Sequence, residues 1–197
     1  MTRSVSRFLL LAMIPMLALE ISRPSTASGT TLANFTIGIK SVKYWDGQPA
    51  QSLDLMWSAH GWPLLLNGFA CRASGKTQNA FGDTFEGRSY EAGLGVARLW
   101  SLGGFHPHLG VGVSRIWWRT HHVPGEDVDD YSYEAKGSRV WLAGGGFVPL
   151  GSRFHLGAAV RFSELRDIYQ PLGGTHAGFT VGWGYTESVR CFAGGNP

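Results

Sequence analysis

The chain has 197 residues, which suits one domain with a removable leader. Hydrophobic residues make up 44% and charged residues 16%, too apolar for a disordered chain and low in charge for a soluble domain, where about 25% is usual. A mean hydropathy of −0.04 excludes a bundle of membrane helices, since each span needs about 20 apolar residues in a row. The net charge of +3, with no Lys/Arg stripe, gives no ground for a nucleic-acid partner. Glycine is abundant, 28 residues, has no triplet period and sits inside apolar segments. Together with 8 Trp, 6 Tyr and 11 Phe it points to β structure.

Arg3 and Arg7 precede an apolar run, Phe8 to Leu19, broken by Pro15 and closed by Glu20. The run is too short for a mature membrane helix and right for the core of a secretory signal. Ser25-Thr26-Ala27 supplies small residues for cleavage after Ala27, and no cysteine follows the apolar run to take a lipid anchor. The expected organisation is a cleaved signal peptide over 1–27, a barrel over 28–185 and a short tail over 186–197.

After the leader, period-two alternation recurs and sustained helical period does not. Phe35, Ile37 and Ile39 alternate with Thr36, Gly38 and Lys40. Leu53, Leu55 and Trp57 alternate with Ser52, Asp54, Met56 and Ser58. Tyr90, Ala92, Leu94 and Val96 face away from Ser89, Glu91, Gly93 and Gly95; Leu109, Val111 and Val113 face away from His108, Gly110, Gly112 and Ser114. Phe154, Leu156, Ala158, Val160 and Phe162 oppose His155, Gly157, Ala159 and Arg161; Ala177, Phe179, Val181, Trp183 and Tyr185 oppose His176, Gly178, Thr180, Gly182 and Gly184. Segments 62–73 and 138–149 are apolar on both parities, so their facing stays open. The pattern predicts eight strands at 33–44, 51–60, 62–73, 86–100, 104–118, 137–149, 153–164 and 175–185. Their connections, 45–50, 61, 74–85, 101–103, 119–136, 150–152 and 165–174, read alternately as long and tight, the habit of an up-and-down barrel crossing a membrane.

Parity cannot say which face points outward, because a lipocalin-like soluble barrel also has eight strands and a leader. Three features favour the membrane. The polar face is rich in glycine and carries Lys40, Asp54, Glu91 and Arg161, whereas an apolar ligand cavity would be lined by large apolar side chains. The strands hold few Lys or Glu for a water-facing surface. Aromatics, among them Tyr44, Trp45, Trp62, Trp100, Trp117, Trp118, Tyr169 and Tyr185, gather at strand ends, where interfacial girdles form. Sheets enter a bilayer only when closed, since every backbone polar group needs a protein partner there. Leu94, Val96, Leu109, Val111, Phe154, Leu156, Val160, Phe179, Val181 and Trp183 are therefore expected to face lipid. A lumenal network is expected in which Asp54 and Glu91 pair with Lys40, Arg139 and Arg161, with His176 among them.

Glu91-Ala-Gly-Leu-Gly-Val-Ala97, His106-Pro-His-Leu-Gly-Val-Gly-Val113 and Gly173-Gly-Thr-His-Ala-Gly-Phe-Thr-Val-Gly-Trp-Gly-Tyr185 resemble small eight-stranded outer-membrane β-barrels of Gram-negative bacteria, of the OmpA-transmembrane-domain and OmpX-like type. The resemblance covers nearly the whole mature chain and specifies architecture better than activity. It implies an all-β, eight-stranded antiparallel up-and-down barrel in the bacterial outer membrane. Gly178, Trp183 and Tyr185 resemble the assembly signal of the last strand, although twelve residues follow where the family usually ends. That implies the barrel-assembly machinery as a partner during biogenesis.

No catalytic, cofactor or metal residue is expected. An enzyme acting on lipid A would need His155 with Ser163 and Glu164, or His176 with Ser114 and Glu91, and neither set matches a motif. His121, His122, Glu126, Asp127, Asp129 and Asp130 lack the spacing of a calcium loop and read as a solvated acidic loop. His106 and His108 share a face without a third zinc ligand. Cys71 and Cys191 are placed at opposite ends of the barrel, beyond the reach of a disulfide. The expected protein is a monomeric, non-enzymatic scaffold whose partners are outer-membrane lipid and lipopolysaccharide.

Overall fold

The alternation translates into eight strands joined edge to edge. The structure, a computed structural model, describes residues 30–42, 45–59, 62–78, 84–123, 132–151, 153–164 and 174–184. The leader 1–27, the tail 186–197, Tyr44, Tyr169, Tyr185, Cys191, the acidic residues 126–130 of the expected loop and most of 165–174 lie outside the described residues, whereas His121 and His122 of that loop belong to a strand.

The strands are β1 (Thr30–Val42), β2 (Trp45–Ser58), β3 (Leu65–Gln78), β4 (Thr84–Leu99), β5 (His106–Val123), β6 (Ser132–Leu150), β7 (Phe154–Glu164) and β8 (Gly174–Gly184). Each pairs antiparallel with its sequence neighbours, and β1 pairs with β8 to close an eight-stranded barrel. Closure leaves no edge of unpaired backbone groups. At the seam, Thr36 and Thr180 lie opposite each other and their hydroxyls hydrogen-bond at 2.8 Å.

The expected strand boundaries are short at one end. β2 begins at Trp45, so only residues 43–44 separate it from β1 where a loop over 45–50 was expected, and β5 and β6 run 18 and 19 residues. The supposed tight turn at 61 is the longer connection 59–64. Loop length therefore does not alternate strictly around the barrel. The physical reason is that ladder bonds join backbone groups regardless of side chain. Pairing continues through polar segments such as Arg119–His121 opposite Ser132–Glu134, where apolar alternation has stopped.

The two segments of open facing are settled by their contents. On β3, Leu65, Asn67, Phe69, Cys71 and Ala73 are buried and Leu66 and Ala70 exposed; on β6, Arg139, Trp141, Ala143 and Phe147 are buried and Val140, Leu142, Val148 and Leu150 exposed. Their inner parity is apolar because an eight-stranded barrel is narrow enough to be filled by its own side chains. Phe69 and Trp141 do the filling, edge to face with centroids 5.4 Å apart. The Trp141 indole donates to the Val113 carbonyl at 3.2 Å. Its ring occupies a slot made by Gly95 and Gly112, where an added Cβ would come within 2.6 and 2.7 Å of Trp141 Cζ2.

A second buried cluster, Leu32, Met56, Leu65, Leu99 and Phe147, packs the end of the barrel where β1 begins and β8 ends. There the β4–β5 hairpin turns through Gly103 and Gly104 at φ +58° and +93°, closed by hydrogen bonds in both directions between Leu102 and Phe105. Consecutive positive φ values define a turn whose twist matches the strands, and glycine adopts them without strain.

Candidate functional site: the polar lumen and the outer wall

The inner parity carries every residue expected in the lumen: Lys40, Asp54, Glu91, Arg139, Arg161 and His176 are all buried. Lys40 Nζ donates to Glu91 Oε2 at 2.8 Å. Ser114 and Ser163 hydroxyls donate to Glu91 Oε1 at 2.7 and 2.6 Å. Arg161 pairs with Asp54, which also accepts from Ser52 Oγ at 3.0 Å. The Arg161 guanidinium lies 3.5 Å from the Phe69 ring centroid, so the filler of the barrel also supports a cation.

Two expected partners behave differently. The Arg139 guanidinium has no hydrogen bond or ion pair among the described residues, although it is buried. The carboxylate it was expected to meet is already filled: Glu91 takes three donors, from Lys40, Ser114 and Ser163. His176 Nε2 likewise makes no hydrogen bond among the described residues. Of the serines that complete the Glu91 shell, Ser114 stands with Glu91 in a set weighed for catalysis, whereas Ser163 lies outside the expected network. The readable signal is shared parity, since Ser114 and Ser163 fall on the polar face of their strands.

His155 Nε2 meets Asn34 Oδ1 at 2.5 Å, an imidazole N–H donating to an amide oxygen. The Phe147 ring gathers three histidines, His155 at 4.2 Å, His106 at 5.2 Å and His108 at 6.4 Å between centroids. His155 and Ser163, one of the two sets considered for catalysis, are eight residues apart on β7 and so about 26 Å apart at ~3.3 Å per residue. In the other set Ser114 bonds Glu91. Among the described residues no group of three His, Cys, Asp or Glu is arranged to hold a metal ion. Cys71 is a buried free thiol. An interior cavity of about 20 Å³, lined in part by Asn34, Asp54, Asn67 and His176, is about the size that holds one water.

The residues expected to meet lipid lie on the outer parity. Leu94, Val96, Leu109, Val111, Phe154, Leu156, Phe179 and Val181 are exposed, Phe179 at 82%, and Val160 and Trp183 are half-covered on the same face. Gly178 lies on the inner parity of β8. Of the expected aromatic girdle, Trp62 and Trp117 are exposed and Trp100 half-buried. Trp118 departs from it, half-buried on the inner parity of β5, because only one of two adjacent strand residues can face outward.

No protein-family model matches the sequence, and no curated protein matches it. Solved structures do. The chain is similar to Neisserial surface protein A, with a TM-score of 0.53 at 13% identity over 81% of this chain and 97% of that one. It is similar to a major outer membrane protein from Thermus thermophilus, with a TM-score of 0.57 at 12% identity over 80% of this chain and 100% of that one. A third is Ail, the attachment invasion locus protein of Yersinia pestis, solved with the heparin analogue sucrose octasulfate, with a TM-score of 0.50 at 9% identity over 81% and 97%. At these identities the likeness is one of fold: a closed, eight-stranded antiparallel barrel of the kind these outer-membrane proteins have.

Proposed function

We propose that this protein is an integral barrel of the bacterial outer membrane, a non-enzymatic scaffold that presents its surface loops for structural or interaction roles. The observation that carries the reading is the division of the wall: a buried network of charges and hydroxyls inside a closed sheet, and a band of large apolar side chains exposed all round the outside. In water those side chains would form one continuous apolar surface far beyond the few hundred Å² that soluble monomers expose. In hydrocarbon they are solvated without cost, and the closed sheet presents no unpaired strand edge to the lipid.

The lumen supports a plugged scaffold rather than a pore. Its cross-section is taken up by Trp141, Phe69 and the paired charges, and the interior cavity suits one water. It also supports a structural role for the polar residues. Glu91, the acid a catalytic set would need, is bound by an ammonium and two hydroxyls, and the His155 imidazole is engaged by Asn34.

The test is extraction and mobility. The processed protein should remain with detergent-soluble membranes and migrate faster on a denaturing gel before boiling than after. Recovery in a detergent-free soluble fraction would favour a lipocalin-like exported barrel. Replacing His155 and His176 separately should leave lipid A acylation unchanged; an altered acyl pattern would favour a lipid-modifying enzyme.

A further inference from the structure

The outer wall is not uniform, and its asymmetry identifies an occupant. Across β3, β4, β5 and β6, outward residues stand in register in successive rows. One row is Ala70, Ala92, Arg115 and Ser138; the next is Arg72, Tyr90, Trp117 and Lys136; the next is Ser74, Arg88, Arg119 and Glu134. These rows gather five cations against a single carboxylate. Glu134 is spent on Arg119, 3.2 Å away in an exposed pair. Arg115 and Lys136 have no ion pair among the described residues. At the same end of β7, β8, β1 and β2, away from the β4–β5 hairpin, the described outward positions, among them Ile37, Ile39, Gln51, Phe162 and Phe179, carry no Lys or Arg.

Directly beside the first row lies an open groove of about 590 Å³. Its floor is Gly68, Ala70 and Ala92, small residues between the larger Leu53 and Leu55 of β2 and Leu94 and Val113 of β4 and β5. It ends at Arg115 and Ser138. Its lining runs from β2 to β6, so it extends about 19 Å at ~4.8 Å per strand spacing. An apolar trough thus opens onto a row of cations at the border of the aromatic belt. Arg115 sits at that border with an alanine on one side and a serine on the other. An uncompensated arginine on the lipid face costs up to about 2–4 kcal/mol at mid-bilayer and little near the interface, so this one calls for an anion at headgroup level.

We propose that this wall binds a phosphate-bearing, multi-acylated lipid of the outer leaflet, its phosphates on Arg115, Lys136 and Arg88 and one acyl chain in the groove. Lipopolysaccharide supplies that chemistry at the proposed location. The inference rests on the membrane reading above. Charge argues against a second copy of the chain, because a two-fold contact through this face would set the cations against themselves. Guanidinium favours the phosphate oxygens through paired N–H donors.

The experiment uses the full-length processed protein in phosphatidylcholine bilayers doped with lipid A, with dephosphorylated lipid A or with phosphatidylglycerol. The readout is lipid retained by the protein on a native gel. The wild type should retain lipid A at least tenfold better than either alternative. The triple change Arg88→Gln, Arg115→Gln and Lys136→Gln should abolish that preference, and Ala92→Phe, which fills the groove, should weaken it. Arg98→Gln, on the other half of β4, should leave it intact. Equal retention of lipid A and its dephosphorylated form, equal retention of phosphatidylglycerol, or a triple variant that still discriminates would overturn the proposal. All variants are first scored for insertion by heat-dependent mobility. Failure of the wild type to insert would strike the membrane reading, while insertion without phosphate preference would strike this inference alone.

Discussion

Removing Glu91 should be among the most damaging single changes to the barrel. Its carboxylate is buried, faces Lys40 at 2.8 Å and accepts from Ser114 and Ser163. The lumen holds Lys40, Arg139 and Arg161 against Asp54 and Glu91, three cations to two carboxylates, so the loss raises its net charge from +1 to +2. Deleting one partner of a buried pair costs about 3–5 kcal/mol, because the other charge is left without compensation. At 1.4 kcal/mol per factor of ten, Glu91→Ala should shift the unfolding equilibrium by roughly two to three and a half powers of ten. Urea unfolding in phosphatidylcholine vesicles, followed by tryptophan fluorescence, measures it. The internal comparison is Glu86→Ala, which breaks an exposed, solvent-screened pair with Lys76 and should cost far less. The double change Lys40→Met with Glu91→Gln should recover most of the loss, since replacing both members of a buried pair can be nearly neutral. If Glu91→Ala costs no more than Glu86→Ala, the lumenal network does not stabilise the barrel as argued.

Three further outcomes follow from the same packing. Gly110→Val sets a branched side chain against the Trp141 ring, where an added Cβ alone would lie 3.1 Å from Cζ3, and should destabilise by about 1–3 kcal/mol, partly relieved when Trp141→Leu is added; an additive pair of changes would refute that contact. Phe179→Arg should impair assembly into bilayers while leaving the lumen intact, measured as the fraction showing heat-dependent mobility; undiminished assembly would argue against lipid contact at that position. Asn34→Leu removes the acceptor that holds His155 and should cost about 1–3 kcal/mol by the same urea assay; no loss would mean that this hydrogen bond contributes nothing net.

The barrel was legible because its signal is local. Phe179, Val181 and Trp183 against Gly178, Thr180 and Gly182 state which parity is large and which small, and closed pairing follows from the cost of an open edge. The facing of β3 and β6 was not legible, since Phe69 and Trp141 occupy the lumen as space-fillers and erase the contrast between faces. Strand ends run past the apolar pattern for a related reason: the end of β5 and the start of β6 pair through polar residues that carry no apolar signal. The charged members of the lumen could be named from parity, but not who meets whom. Lys40 reaches Glu91 and Arg161 reaches Asp54 because of barrel shear and side-chain length, quantities no single strand encodes. The cationic rows on the outer wall were invisible for the same reason, because Arg72, Arg88, Arg115, Arg119 and Lys136 are scattered in sequence and become neighbours only through cross-strand register.

The most direct test of the account asks what solvent touches each face. Nitroxide labels are placed singly, in a cysteine-free background, at Leu94, Leu109 and Phe179 on the outer parity and at Ser52 and Thr180 on the inner. Collision rates are then read in lipid bilayers with oxygen, which concentrates in hydrocarbon, and with a water-soluble nickel chelate. The account predicts strong oxygen and weak nickel relaxation at the outer three, and weak relaxation by both at the inner two. Strong nickel relaxation at Leu94, Leu109 and Phe179 would mean that water bathes the apolar wall, and the barrel would not be a membrane protein.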